Sequence, residues 1–121
     1  MKKVQRRIVF ILEALYTAKP SANGFVTGRS IVSNAKSHIG RKYVYNIDLK
    51  DFFPTIHYGR VKAVLQIPPF NASPEIAHLI AHFSCYKGVL PQGSPLSPIL
   101  TNIVCGELVF CIGLSIGFAL F

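Results

Sequence analysis

Two of the five acidic residues in this 121-residue chain stand three positions apart in the stretch Tyr43-Val-Tyr-Asn-Ile-Asp48-Leu-Lys-Asp51-Phe-Phe-Pro54. Carboxylates are the natural ligands of hard divalent cations, and the surrounding chain carries a net charge of +8. An acid at the end of an apolar strand in a basic chain suggests a metal site built for a phosphate-bearing ligand. Phe52 and Phe53 follow at once and would give such a pocket a flat apolar wall. Downstream, Gly88-Val-Leu-Pro-Gln-Gly-Ser-Pro-Leu-Ser-Pro98 sets a side-chain amide on a Gly/Pro turn just ahead of a helix start. Such a turn offers backbone N–H groups and the amide to an anionic or sugar-bearing ligand. Each feature also has a plainer reading: the acids as caps or surface charges, the turn as an ordinary loop.

The elements that must position these residues follow from periodicity and punctuation. Tyr43 to Leu49 alternates as a strand, with Tyr43, Tyr45, Ile47 and Leu49 on one face and Val44, Asn46 and Asp48 on the other. Pro54 prevents its continuation. Ahead of it, Val4, Ile8, Ile11, Leu12 and Leu15 recur at helical spacing and predict an amphipathic helix from Lys3 to about Tyr16. Ser21 to Gly28 reads as a loop, and Ser30 caps a short helix from Ile31 to Ser37. After the strand, Tyr58 to Gln66 is helical with Val61, Val64 and Leu65 inward, and Ile67-Pro-Pro-Phe70 ends it. Ser73-Pro74-Glu75 opens the next helix, whose apolar stripe is Ile76, Leu79, Ile80 and Phe83. Tyr86 to Leu90 is short and extended. Ser97-Pro98 repeats the cap-plus-proline device for a final helix through Ile99, Leu100, Ile103 and Val104.

Composition narrows the class. Half the residues are hydrophobic and 15% are charged, which argues against a disordered chain and fits one domain with a real core. Twelve of the thirteen basic residues lie between Lys2 and Lys62, and only Lys87 lies beyond. A basic front half suits a polyanion such as nucleic acid, although charge alone fits a solvated basic surface equally well. Cys85, Cys105 and Cys111 form no zinc-like spacing and point to a reduced, cytosolic compartment. His78 and His82 stand at i, i+4 without an intervening helix-borne Glu and read as a pair on a helix face. The apolar run Ile8 to Leu12 is too short for an export signal. The uncharged tail Leu108 to Phe121 falls short of the roughly 20 residues a spanning helix needs.

Asn46-Ile-Asp48-Leu-Lys-Asp51-Phe-Phe53 resembles the first catalytic motif of reverse transcriptases, and Leu90-Pro-Gln92-Gly93-Ser-Pro-Leu-Ser-Pro98 resembles their Pro-Gln-Gly motif. Gly24-Phe-Val-Thr-Gly-Arg29-Ser30 is similar to the preceding fingers block, and Asn34-Ala35-Lys-Ser-His38 to an element of the bacterial retron subgroup. The four blocks stand in the family's order across residues 3 to about 105. The resemblance implies that Asp48 ligates two catalytic Mg²⁺ ions and that the Leu49 carbonyl completes one of them. It implies that Asp51 and the backbone around Phe52 lie along a deoxynucleoside triphosphate, and that Phe53 excludes a ribose 2′-hydroxyl. Gln92 would contact the incoming nucleotide, Gly93 would let the chain approach it, and Arg29 would serve template or triphosphate binding. Asn34 and His38 would belong to recognition of a cognate structured RNA. The implied partners are that RNA template, the nascent DNA, the missing polymerase half or an effector protein, with a role in antiviral defence.

The resemblance also implies a fold: α+β, the partial fingers and palm of a right-hand polymerase, with helices around an incomplete antiparallel palm sheet. Residues 1–105 would form that partial domain and residues 106–121 an apolar tail that departs from the pattern. No Asp follows Asp51, so the family's Tyr-x-Asp-Asp hairpin has no counterpart here, and neither does the thumb. One carboxylate cannot hold two cations against their mutual repulsion, so the chain by itself is expected to be inactive. A non-catalytic RNA- or DNA-binding remnant is the alternative. A third and lesser reading is a small protein anchored in a membrane by Leu108 to Phe121.

Overall fold

The computed structural model describes residues 2–18, 20, 22–44 and 50–116, with side chains described as far as residue 106. Its helices are α1 (Lys2–Leu15), α2 (Ile31–Lys36), α3 (Phe52–Thr55), α4 (Tyr58–Gln66), α5 (Pro74–Ser84) and α6 (Ser97–Ile116). The chain divides into two compact units, the first made of residues 1–17 and 51–105 and the second of residues 18–50 and 106–121.

The first unit packs α4 against α5, with α1 also touching α5. Its core contains Leu12, Ile56, Val61, Leu65, Leu90, Leu96 and Leu100. The α4 face is as its periodicity predicts: Val61 and Leu65 are buried and Val64 is half-buried. The α5 cap is also as expected, with Ser73 Oγ accepting from the Ile76 N–H at 3.4 Å and Pro74 in the first turn. Its inward face is not. Ala77, Ala81 and Ser84 are buried, whereas Ile76 and Leu79 are 50% and 48% exposed. Small side chains let the α4 and α5 backbones approach closely, so the stripe chosen is the one with the least bulk rather than the most hydrophobicity. In α1 only Gln5 and Leu12 are buried, and Gln5 Nε2 donates to the Phe83 carbonyl at 2.8 Å. Tyr16 closes the same unit by donating its hydroxyl to the Asn102 carbonyl at 3.0 Å.

In the second unit α2 carries a reciprocal cap. Ser30 Oγ accepts from the Ser33 N–H at 3.3 Å, and Ser33 Oγ accepts from the Ser30 N–H at 2.8 Å. Only Ala22 and Asn34 are buried among its described side chains of residues 18–50.

The expected α+β architecture is overturned. The described residues are helical, and their named β pairing consists of the isolated bridges His57 to Val89 and Tyr86 to Val89. A sheet needs two extended segments side by side. Tyr43 and Val44 have no regular structure, and residues 45–49 of the expected central strand lie outside the described residues. Residues 86–90 do not run on as a strand but fold back in a tight turn, with Tyr86 and Val89 bonded to each other through their backbones.

Candidate functional site

The Asp51 and Gln92 motifs, forty-one positions apart in sequence, end on neighbouring backbone segments. Leu90 N–H donates to the Ile56 carbonyl at 3.0 Å, and Tyr58 N–H donates to the Gly88 carbonyl at 2.9 Å. These two bonds fasten the exit of α3 to the approach of the Pro91-Gln92-Gly93 turn. Ile56 and Leu90, whose backbones make the first bond, are both buried and anchor the junction in the core.

On the α3 side, Asp51 sits in the left-handed region at φ +50° with its carboxylate exposed and making no capping bond. Phe52 and Phe53 are half-buried and edge to face, with centroids 5.8 Å apart and planes at 61°, an aromatic pair rather than a flat surface. Ile56 N–H donates back to the Phe53 carbonyl at 3.1 Å and closes the short helix.

On the turn side, Gln92 and Gly93 are exposed. Gly93 has φ +80°, and a Cβ built there would meet nothing within 4 Å. Glycine therefore suits this backbone conformation, and the space above it is open. Ser97 was expected to cap α6 with its side chain. Its hydroxyl instead donates to the Pro91 carbonyl at 2.6 Å, while its N–H donates to the Ser94 carbonyl at 3.2 Å. A buried serine thus braces both ends of the turn, with Leu90 and Leu96 buried on either flank. The sequence signal for this role was available in the six-residue spacing of Pro91 and Ser97, but it is indistinguishable from a cap until the turn closes.

The second unit holds Arg29, Asn34 and His38. Arg29 Nη1 donates to the Pro20 carbonyl at 3.2 Å and also to the Ala22 carbonyl. Asn34 is 3% exposed and its Oδ1 faces Asn23 Nδ2 at 3.5 Å. His38 is half-buried on the turn that follows α2. Asp48 and Leu49 lie outside the described residues.

Burial pushes the Cys85 and Cys105 thiols up, which disfavours the thiolate needed for nucleophilic attack. Among the described residues no three His, Cys, Asp or Glu side chains gather to hold a metal ion. Also among them, no helix is long and apolar enough to cross a membrane.

The family model described as reverse transcriptase (RNA-dependent DNA polymerase) matches residues 1–116. The chain belongs to the reverse transcriptase family. Retron Ec86 reverse transcriptase of Escherichia coli is 40% identical over 98 residues, covering 81% of this chain and 30% of that relative. Retron Mx65 reverse transcriptase of Myxococcus xanthus is 35% identical over 120 residues, covering 86% of this chain and 28% of the relative. Retron Mx162 reverse transcriptase of the same organism is 33% identical over 124 residues, covering 89% and 26%. The chain is therefore a retron-type reverse transcriptase segment that spans less than a third of the length of these curated relatives. Reverse transcriptases generally use a divalent metal, and the described residues alone do not supply a donor set for one.

Proposed function

We propose that this chain supplies the nucleotide-facing part of a retron-type RNA-directed DNA polymerase site, and that the 121-residue chain by itself does not catalyse. The observation that supports this reading most is the pair of backbone bonds joining Ile56 and Tyr58 to Leu90 and Gly88, which ties the Phe52–Phe53 pair to the Gln92–Gly93 turn. Gln92 contacts the incoming deoxynucleoside triphosphate with its exposed amide. Gly93 leaves room for the nucleotide, and Phe53 blocks a ribose 2′-hydroxyl. Asp51 and the backbone around Phe52 lie along the triphosphate. Asp48, with the Leu49 carbonyl, would hold Mg²⁺, which would supply a hard positive charge to the phosphate oxygens. Within these 121 residues no Asp follows Asp51 to serve as a second catalytic carboxylate.

The second unit serves RNA. Arg29 holds the loop that faces template or triphosphate, Asn34 braces that loop from inside, and His38 contacts the cognate structured RNA. The basic stretch from Lys2 to Lys62 retains the RNA and nascent DNA backbones through counterion release. The setting is the bacterial cytoplasm.

Photo-crosslinking of a deoxynucleoside triphosphate in the presence of Mg²⁺ tests the site. Label is expected on the segment containing Gln92 and lost in Gln92→Ala. Labelling that is insensitive to both Gln92→Ala and Gly93→Val would sink the reading. Primer extension tests the second half of the proposal: no template-directed synthesis is expected, and its appearance would overturn the claim of inactivity.

A further inference from the structure

The turn at residues 86–89 is built in an unusual way. Tyr86 N–H donates to the Val89 carbonyl at 2.9 Å and Val89 N–H returns to the Tyr86 carbonyl at 3.2 Å. Between them Lys87 has φ +51° and Gly88 has φ +80°. Two successive left-handed residues favour Asn, Asp or Gly at the first position, because a Cβ there crowds the backbone. Lysine is a poor choice for folding. It has no short polar side chain to bond its own backbone, as Asn or Asp would.

What the turn presents is an aromatic and a cation together. Tyr86 is 66% exposed, and the Lys87 ammonium lies 5.5 Å from its ring centroid. Lys87 is the one basic residue of the chain beyond Lys62, and no acidic residue occurs between Glu75 and Glu107. The tip is also fixed in place. Gly88 accepts from the Tyr58 N–H at 2.9 Å, and Leu90 donates to Ile56 at 3.0 Å. The tip therefore shares its anchorage with the turn that carries Gln92 and Gly93. A strained residue held on a rigid support marks a position where side-chain chemistry outweighs backbone preference.

We propose that Tyr86 and Lys87 form a contact for single-stranded nucleic acid, Tyr86 stacking on a base and Lys87 meeting the adjacent phosphate. The inference rests on the reading of the chain as a nucleic-acid polymerase segment and adds a binding point separate from the nucleotide site. The exposed Tyr86 ring accepts any base, since every base has a π-face, so the contact discriminates little among sequences. The cation beside the ring places a phosphate one step along the strand.

Fluorescence anisotropy of the intact chain with a labelled twelve-nucleotide oligo-U, titrated at several salt concentrations, tests this. Tyr86→Leu is expected to weaken binding roughly tenfold, in line with the loss of one base stack, and Tyr86→Phe to retain it. Lys87→Gly relaxes the turn while removing the charge, and the slope of log affinity against log salt should fall by about 0.7. Helical circular dichroism identical to the parent shows that each variant is folded. Affinity and salt slope unchanged in both Tyr86→Leu and Lys87→Gly would overturn the proposal, as would a parent chain that binds no oligo-U. Triphosphate crosslinking at Gln92 is measured without oligonucleotide, so its failure would count against the nucleotide reading alone.

Discussion

The two units of this chain hold their loops by different means. In the first, the Pro91-Gln92-Gly93 turn stands on an apolar core: Leu90 and Leu96 are buried on its flanks, and Ser97 adds a hydrogen bond to Pro91. In the second, the loop from residue 20 to α2 is held mainly by polar groups. Arg29 grips the Pro20 and Ala22 carbonyls, Ser30 and Ser33 cap each other, and Asn23 faces Asn34. Among its described residues the large apolar side chains Phe25, Ile31, Val32 and Ile39 are exposed. Apolar burial is non-directional and tolerant of small shifts, whereas a hydrogen-bonded loop depends on each donor and acceptor in turn. The first unit should therefore fail globally when its core is cut, and the second locally when one polar group is lost.

The sharpest way to break this contrast is to truncate one apolar residue in each unit. Leu65→Ala removes a side chain with no exposure, and unfolding should become easier by about 2–5 kcal/mol in denaturant melts. Ile39→Ala, at an exposed position, should stay within about 0.5 kcal/mol. Equal effects would end the distinction. Next in size is Arg29→Met, which deletes charge-assisted bonds to two carbonyls and should cost about 2 kcal/mol locally. Hydrogen exchange would read it as faster exchange over residues 22–37, with α4 and α5 unaffected.

Ser97→Ala tests whether the first unit's loop also needs its polar brace. The expected loss is about 1 kcal/mol, together with weaker triphosphate crosslinking at Gln92. A smaller effect concerns pH. A hydrogen bond from Ser73, then its own backbone N–H, then the Lys62 charge, hold the Glu75 carboxyl below the usual carboxylate range. Because the folded value is depressed, this contribution is present above the unfolded value and is lost as pH falls through the folded one. In Ser73→Ala, NMR titration should show the Glu75 midpoint moving up. The smallest expected change is Thr101→Val. Thr101 Oγ1 is buried without a partner among the described residues, so the valine variant should match the parent or exceed it by less than about 1 kcal/mol.

Several elements were legible in the residues alone, for local reasons. The Ser30 and Ser73 caps announce α2 and α5 because a hydroxyl at that position satisfies an otherwise unpaired N–H. The proline pair after Gln66 ends α4 because neither residue can donate. The reverse transcriptase motifs were legible too, since metal, triphosphate and nucleotide each constrain residue type at a fixed spacing. The family resemblance, rather than residue type alone, groups Asp51, the two phenylalanines, Gln92 and Gly93 as candidates for one site.

Tertiary structure decided what those local rules cannot reach. Periodicity placed Ile76 and Leu79 inside, but helix contact selected Ala77, Ala81 and Ser84, because the depth of approach between two helices depends on both partners. The extended reading of residues 86–90 gave way to a reversal closed by the Tyr86 and Val89 backbones, and bonds across thirty and thirty-four positions of sequence, from Tyr58 to Gly88 and from Leu90 to Ile56, hold it in place. The same long-range bonds bring the Phe52–Phe53 pair and the Gln92–Gly93 turn onto one support. Pairing of that kind is a property of the folded chain, since the Ile56 and Gly88 carbonyls find their donors at Leu90 and Tyr58, far away in sequence.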